Sequence, residues 1–210
     1  MSSKNTYRVG TDGNANYATL TEIPAYITAQ GDNTILLYPG TYDAPTDAVW
    51  KDLAIVGVGD RDEIVINGDV TIANTSTGMV TFENVSFVGS NGSTTGDKAC
   101  VTKNGAASLP IHFKRVKMSN AEHGVLHSGE MAFATTNQQI ILDNSDLTAI
   151  DQAIVSNANV GINFSMLSLA SNAYFRSGVA SPTITVTVRA STCGGANVGN
   201  NTETVLALIS

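Results

Sequence analysis

The sequence predicts an all-β protein: a right-handed, single-stranded parallel β-helix with an amino-terminal capping helix and carboxy-terminal β-strands. Three observations point there. Four segments share one template, Val80-Thr-Phe82-Glu-Asn84-Val85-Ser-Phe87, Ile111-His-Phe113-Lys-Arg115-Val116-Lys-Met118, Ile140-Ile-Leu142-Asp-Asn144-Ser145-Asp-Leu147 and Ile162-Asn-Phe164-Ser-Met166-Leu167-Ser-Leu169, with starts 31, 29 and 22 residues apart. That period lies in the solenoid range. Each copy alternates apolar and polar positions like a strand with one buried face. A lone copy has nothing to bury that face against, whereas stacked copies bury it against one another. Gly, Ser, Thr and Asn are abundant and only 14% of residues are charged, a composition suited to many short strands joined by tight turns. The right hand follows from the usual chirality of parallel strand connections.

The elements follow in order. Thr6 to Val9 read as an opening strand, closed by the polar turn from Gly10 to Asn16. Thr19-Leu-Thr-Glu22 has the spacing of a capping box, and Leu20, Ile23 and Ile27 recur at helical spacing before Gly31. With Thr21 as N-cap, Pro24 falls in the first turn and a helix over residues 21–30 results. Next come Thr34 to Tyr38, a Pro39-Gly40 turn, Thr41 to Asp43, Asp52 to Val56, a Gly57-Val-Gly59 turn, Glu63 to Ile66 and Val70 to Ile72. Between template copies, Ala99 to Val101, Gly124 to Leu126 and Ala153 to Val155 supply return strands for each coil. The open ends of a solenoid expose unpaired backbone, and the helix is placed to cover the first. Near the other end, Thr183 to Val188 alternates strictly and Glu203 to Ile209 is nearly all apolar, as in a separate hairpin or terminal strands. The organisation is therefore residues 1–180 as β-helix and 181–210 as carboxy-terminal strands for capping or subunit contact.

In this amino-terminal part, the run Val9-Gly10-Thr-Asp-Gly13, Tyr17-Ala-Thr-Leu-Thr-Glu22, Ile35-Leu-Leu-Tyr-Pro-Gly-Thr-Tyr42, Ile55-Val-Gly-Val-Gly59 and Val70-Thr-Ile72 resembles the pectin methylesterase branch of the pectin-lyase-like β-helix superfamily. The resemblance covers about residues 6 to 90 and implies the fold. Enzymes of that branch carry, further downstream, a Gln-Asp pair after a strand, an Asp-Phe-Ile-Phe-Gly-like strand and an Arg-bearing Gly-Arg-Pro-Trp turn. None has a counterpart here, and the single Trp, Trp50, precedes the region where they belong. Fold without catalysis is what the resemblance implies.

Candidate chemistry is sparse. Asp143 and Asp146 flank the third template copy, but their template neighbours are Glu83, Lys114 and Ser165, and Ser86, Lys117 and Ser168, which marks solvated outward sites. Asp60-Arg-Asp-Glu63 reads as an exposed turn, since a lone GxG lacks the ligand spacing of a cation or phosphate loop. His123 and His127, with Glu122 and His112, have zinc-ligand chemistry but not the spacing: four residues apart on one strand, two imidazoles stand about 13 Å from each other, too far for one metal. Cys100 reads as a buried thiol and Cys193 as an incidental one, with no CxxC present. Asn84 and Asn144 take equivalent template positions, where amides stack as a partial ladder. No catalytic, cofactor-binding or metal-binding residue is assigned, and no cofactor is expected.

A net charge of −7 and a pI near 4.7 argue against a phosphate backbone as partner. No run of about eighteen apolar residues suits a membrane span. Met1-Ser-Ser-Lys-Asn-Thr lacks the apolar stretch of a secretory signal, which polysaccharide-degrading relatives need and a particle protein assembled in a host cytoplasm does not. The expectation is therefore a non-catalytic virion structural protein, a bacteriophage capsid decoration, cement or fibre-associated protein, homotrimeric and bound to major capsid or tail proteins. A carbohydrate-binding or polyuronide-active β-helix, with a surface glycan as ligand, is the alternative.

Overall fold

The computed structural model describes residues 5–90, 99–104, 110–128, 139–156, 160–165, 168–169, 174–177, 184–189, 192–193, 197–198 and 204–208, with side chains described as far as Leu147. The chain winds as a parallel β-solenoid. Among the described residues its first sheet stacks nine strands in parallel: Asn5–Val9, Asn33–Leu37, Lys51–Gly57, Thr77–Glu83, Ile111–Lys114, Gln139–Asp143, Val160–Ser165, Ile184–Arg189 and Thr204–Leu208. A second wall runs from Gly40–Asp43 through Ile64–Asn67 and Ser86–Val88 into the starts of Lys117–Ser128 and Asp146–Ser156. Those two long strands then turn into a third wall, where Lys117–Ser128 pairs with Ala99–Asn104 and Asp146–Ser156 with Tyr174–Ser177. The register shift around Ser119 and the positive φ of Asn120, 57°, mark that corner. The return strands expected at Ala99, Gly124 and Ala153 lie in this third wall.

Register follows the template. Phe82 pairs with Phe113, Phe113 with Leu142 and Leu142 with Phe164. Phe82, Phe113 and Leu142 are fully buried; the side chain of Phe164 lies outside the described residues. Because alternate residues face opposite sides of a strand, Val80, Ile111 and Ile140 form a second inward column beside the first. The rings of Phe82 and Phe113 stack at 5.5 Å with 8° between planes, and Phe87 meets both edge-on at 5.1 and 6.2 Å. Trp50, from the turn below, tilts against Phe82 at 5.6 Å. Such pairs contribute about 0.5–1.5 kcal/mol each beyond their burial.

Each of the first three template copies is thus two short strands hinged at a corner. Asn84, Arg115 and Asn144 take left-handed φ values of 57°, 53° and 46°. Asn tolerates that region and Arg does so at a cost. The expected amide ladder does not form, because Arg115 stands between the two asparagines in the stack. The Asn84 amide instead donates to the carbonyls of Gly57 and Gly59 in the preceding turn, at 3.1 and 2.9 Å. Gly57 is needed there: a β-carbon would lie 2.0 Å from the Asn84 carbonyl oxygen.

The first end is covered as expected, with different local geometry. In place of one helix over residues 21–30, a 3-10 turn at Leu20–Glu22 precedes an α-helix at Ala25–Gln30. Proline pushes its predecessor out of the helical region, and Ile23 has ψ 120°. Pro24 is therefore the N-cap, not Thr21, while Glu22 accepts from the Ala18 N–H at 2.9 Å. Leu20, Ile23 and Ile27 are buried in the core. The outer edge of Asn5–Val9 is also blocked by its own loop, since Asn16 and Tyr17 N–H groups donate to the Arg8 carbonyl and the Asn16 side chain accepts from the Arg8 N–H. Toward the other end, Ile184–Arg189 and Thr204–Leu208 extend the first sheet in parallel, so they are stacked strands and not a hairpin. The expected boundary at residue 180 lies outside the described residues.

Replacing Phe113 with Ala opens a cavity between turns that cannot close independently, at an expected cost of about 3–5 kcal/mol. Equilibrium denaturation measures it, and a midpoint equal to the parent's contradicts the aromatic column.

Candidate functional site

On the solvent side of the first sheet, the same register stacks charges. Glu83, Lys114 and Asp143 are successive partners in one outward row. Glu83 accepts from two cations at once, Lys114 at 3.2 Å and Arg115 at 2.5 Å. His112 Nε2 lies 2.7 Å from Asp143 Oδ2. Around the corner, Lys117 reaches back to Asp62 at 3.3 Å, and Arg61 lies 3.6 Å from the same carboxylate. The Lys117 hydrogen bond holds the Asp62 carboxyl below the usual range. Exposed pairs of this kind are worth about 0–1 kcal/mol each, so their effect is chiefly to fix register between turns.

The residues singled out in the sequence are scattered by the fold. Asp143 is half-buried and engaged by His112, while the Asp146 N–H donates to the Val116 carbonyl. Asp60 caps the 3-10 turn Arg61–Glu63 by accepting from the Asp62 N–H, and Ser86 hydrogen-bonds the Arg61 carbonyl from the next turn. His112 faces outward from the first sheet, whereas His123 is buried in the third wall. The side chain of His127 lies outside the described residues. Among the described residues, no group of three or more His, Cys, Asp or Glu is placed to hold a metal ion, and no helix is long and apolar enough to cross a membrane.

Cys100 is interior, as its apolar strand implies, whereas Lys103 is interior against the surface reading of a lysine. Cys100 is fully buried, its thiol donating to the Ser119 carbonyl at 3.6 Å, and burial pushes its pKa up to about 12. Lys103 is 1% exposed and stacks on Ile72, an inward position, where burial lowers its pKa to about 8. Its place two residues after inward Val101 was a signal of period 2, but a lysine reads as surface. A shallow cavity of about 150 Å³ opens near the start of the first sheet, lined by Asp32, Thr34, Asp52, Met79 and Thr81. Asp52 is already committed there, accepting from the Met79 N–H at 3.0 Å.

No protein-family model, curated protein or solved structure matches this chain. The parallel β-solenoid stands on its own geometry.

A lysine whose pKa is depressed in the folded state binds fewer protons there than in the unfolded chain. Stability therefore rises with pH between about 8 and the ordinary lysine value of about 10.4. Because methionine does not titrate, the stability of the parent relative to Lys103→Met should rise by an amount on the order of 2–3 kcal/mol between about pH 8 and pH 10. Denaturant midpoints of the two proteins from pH 7 to pH 10 test this; a difference that does not change with pH contradicts it.

Proposed function

We propose that the protein is a non-catalytic structural component of a virion, a bacteriophage capsid decoration, cement or fibre-associated solenoid. In this reading it assembles as a homotrimer and binds other virion proteins through its carboxy-terminal strands. One observation carries the non-catalytic part: four outward carboxylates are spent on neighbouring turns. Asp62 holds Lys117, Glu83 holds Lys114 and Arg115, Asp143 holds His112, and Asp52 holds a backbone N–H. Glycoside hydrolysis by two carboxyl groups needs a pair facing one bond, one of them kept protonated. These residues act instead as ties between turns. The proposed contact with partners is supported by the placement of Thr204–Leu208, which pairs on one side only among the described residues, since edge strands readily accept another chain.

A carbohydrate-binding or polyuronide-active β-helix is the second reading, favoured by the shallow cavity beside Asp32 and Asp52 and by the resemblance of residues 6–90.

Deleting residues 203–210 is expected to abolish assembly while leaving the remaining solenoid folded, as read by light scattering and circular dichroism. Normal association of the truncated protein overturns the role of the terminal strands. Cleavage or de-esterification of a polyuronide by the intact protein at an ordinary enzymatic rate moves the function to the second reading.

A further inference from the structure

Charge is distributed unevenly along the solenoid. Residues 10–70 carry ten acidic and two basic residues, whereas residues 71–128 carry three acidic and five basic ones. The contrast is sharpest along the corner between the first and second walls. There the turn Arg61–Glu63 presents Asp60, Asp62 and Glu63, all exposed. One turn on, the corner is Asn84, beside Glu83. One turn further, it presents Lys114, Arg115 and Lys117, with side chains 43%, 49% and 39% exposed. Within the molecule four cations share two carboxylates: Glu83 is shared by Lys114 and Arg115, and Asp62 by Arg61 and Lys117. Asp60 and Glu63 remain on the acidic turn, where Val58 also projects, 37% exposed.

We infer that this corner ridge is an interface with a second copy of the chain, laid antiparallel across it. Successive turns of a parallel stack are about 4.8 Å apart, so the backbones of the acidic and basic rungs lie about 10 Å from each other with Asn84 midway, and among the described residues Lys117 alone reaches back across that gap to Asp62. A two-fold axis through the Asn84 turn sets each acidic rung against the partner's basic rung, and does so twice. That is the self-complementarity an isologous contact requires. An unrelated acidic ligand satisfies only the basic rung and leaves Asp60, Asp62 and Glu63 repelled. Contacts of this type act through opposed charge and are screened by salt. This ridge lies on the solenoid's flank and is independent of the terminal strands.

Sedimentation of the full-length protein tests the interface. At about 20 mM salt the molar mass should double with rising concentration, and the doubling should vanish near about 0.5 M. Asp62→Lys/Glu63→Lys makes both rungs basic, and Lys114→Glu/Lys117→Glu makes the ridge predominantly acidic. Each variant alone should lose the doubling, with its association weakened about tenfold or more. An equimolar mixture of the two should regain it as a mixed dimer. Thermal unfolding of each variant shows that it is folded; if one fails to fold, the wild-type salt series and the other variant decide alone. A wild-type mass indifferent to salt, a doubling that survives either reversal, or a mixture that stays unassociated overturns the inference.

Discussion

Everything in this molecule depends on one turn of chain pairing in register with the next. No strand here is stable alone, because its apolar face and its backbone groups are satisfied only by its neighbours. Side chains alternate with a period of two, so a slip of one residue between Thr77–Glu83 and Ile111–Lys114 moves Phe82 or Phe113 from the core into water. The stacked rings at 5.5 Å are therefore the cause of the register as much as its product. The outward charges reinforce it, since Glu83 meets Lys114 and His112 meets Asp143 in this alignment alone.

The corners and ends show how the stack is bounded. Three of the turns from the first wall to the second carry one residue in the left-handed region, at Asn84, Arg115 and Asn144. The freed polar groups are taken up by the turn beneath, as when the Asn84 amide binds two carbonyls. At the first end, three apolar side chains from the 3-10 turn and helix fill the open core, while the loop after Val9 folds back on the edge strand. Two different exposures, of core and of backbone, are closed by two different devices.

Much of this was legible because the period-2 pattern and the repeat are strong local signals. The inward column of Phe82, Phe113 and Leu142 follows from the template, as do the return strands of the third wall. The helix boundary departs from the capping-box pattern because Pro24 holds Ile23 extended, which stops the helix from running through. The asparagine ladder failed because the copy between the two asparagines holds Arg115. The sign alternation Glu83, Lys114, Asp143 was visible in the aligned copies, but pairing between turns required knowing which residues stack directly. Buried Lys103 and His123 were hidden by their chemistry, since polar residues in short apolar strands read as outward.

Register between template copies is the central claim, and disulfide trapping measures it directly. Thr81 and His112 are Cα partners across adjacent turns, within the separation of about 4.4–6.8 Å that a disulfide spans. With Cys193 replaced by Ser and Cys100 left buried, Thr81→Cys/His112→Cys should cross-link fully under mild oxidation. Thr81→Cys/Lys114→Cys, displaced by two residues on the same face and so roughly 8 Å apart, should not. Efficient cross-linking of the displaced pair, or failure of the in-register pair, would contradict the solenoid described here.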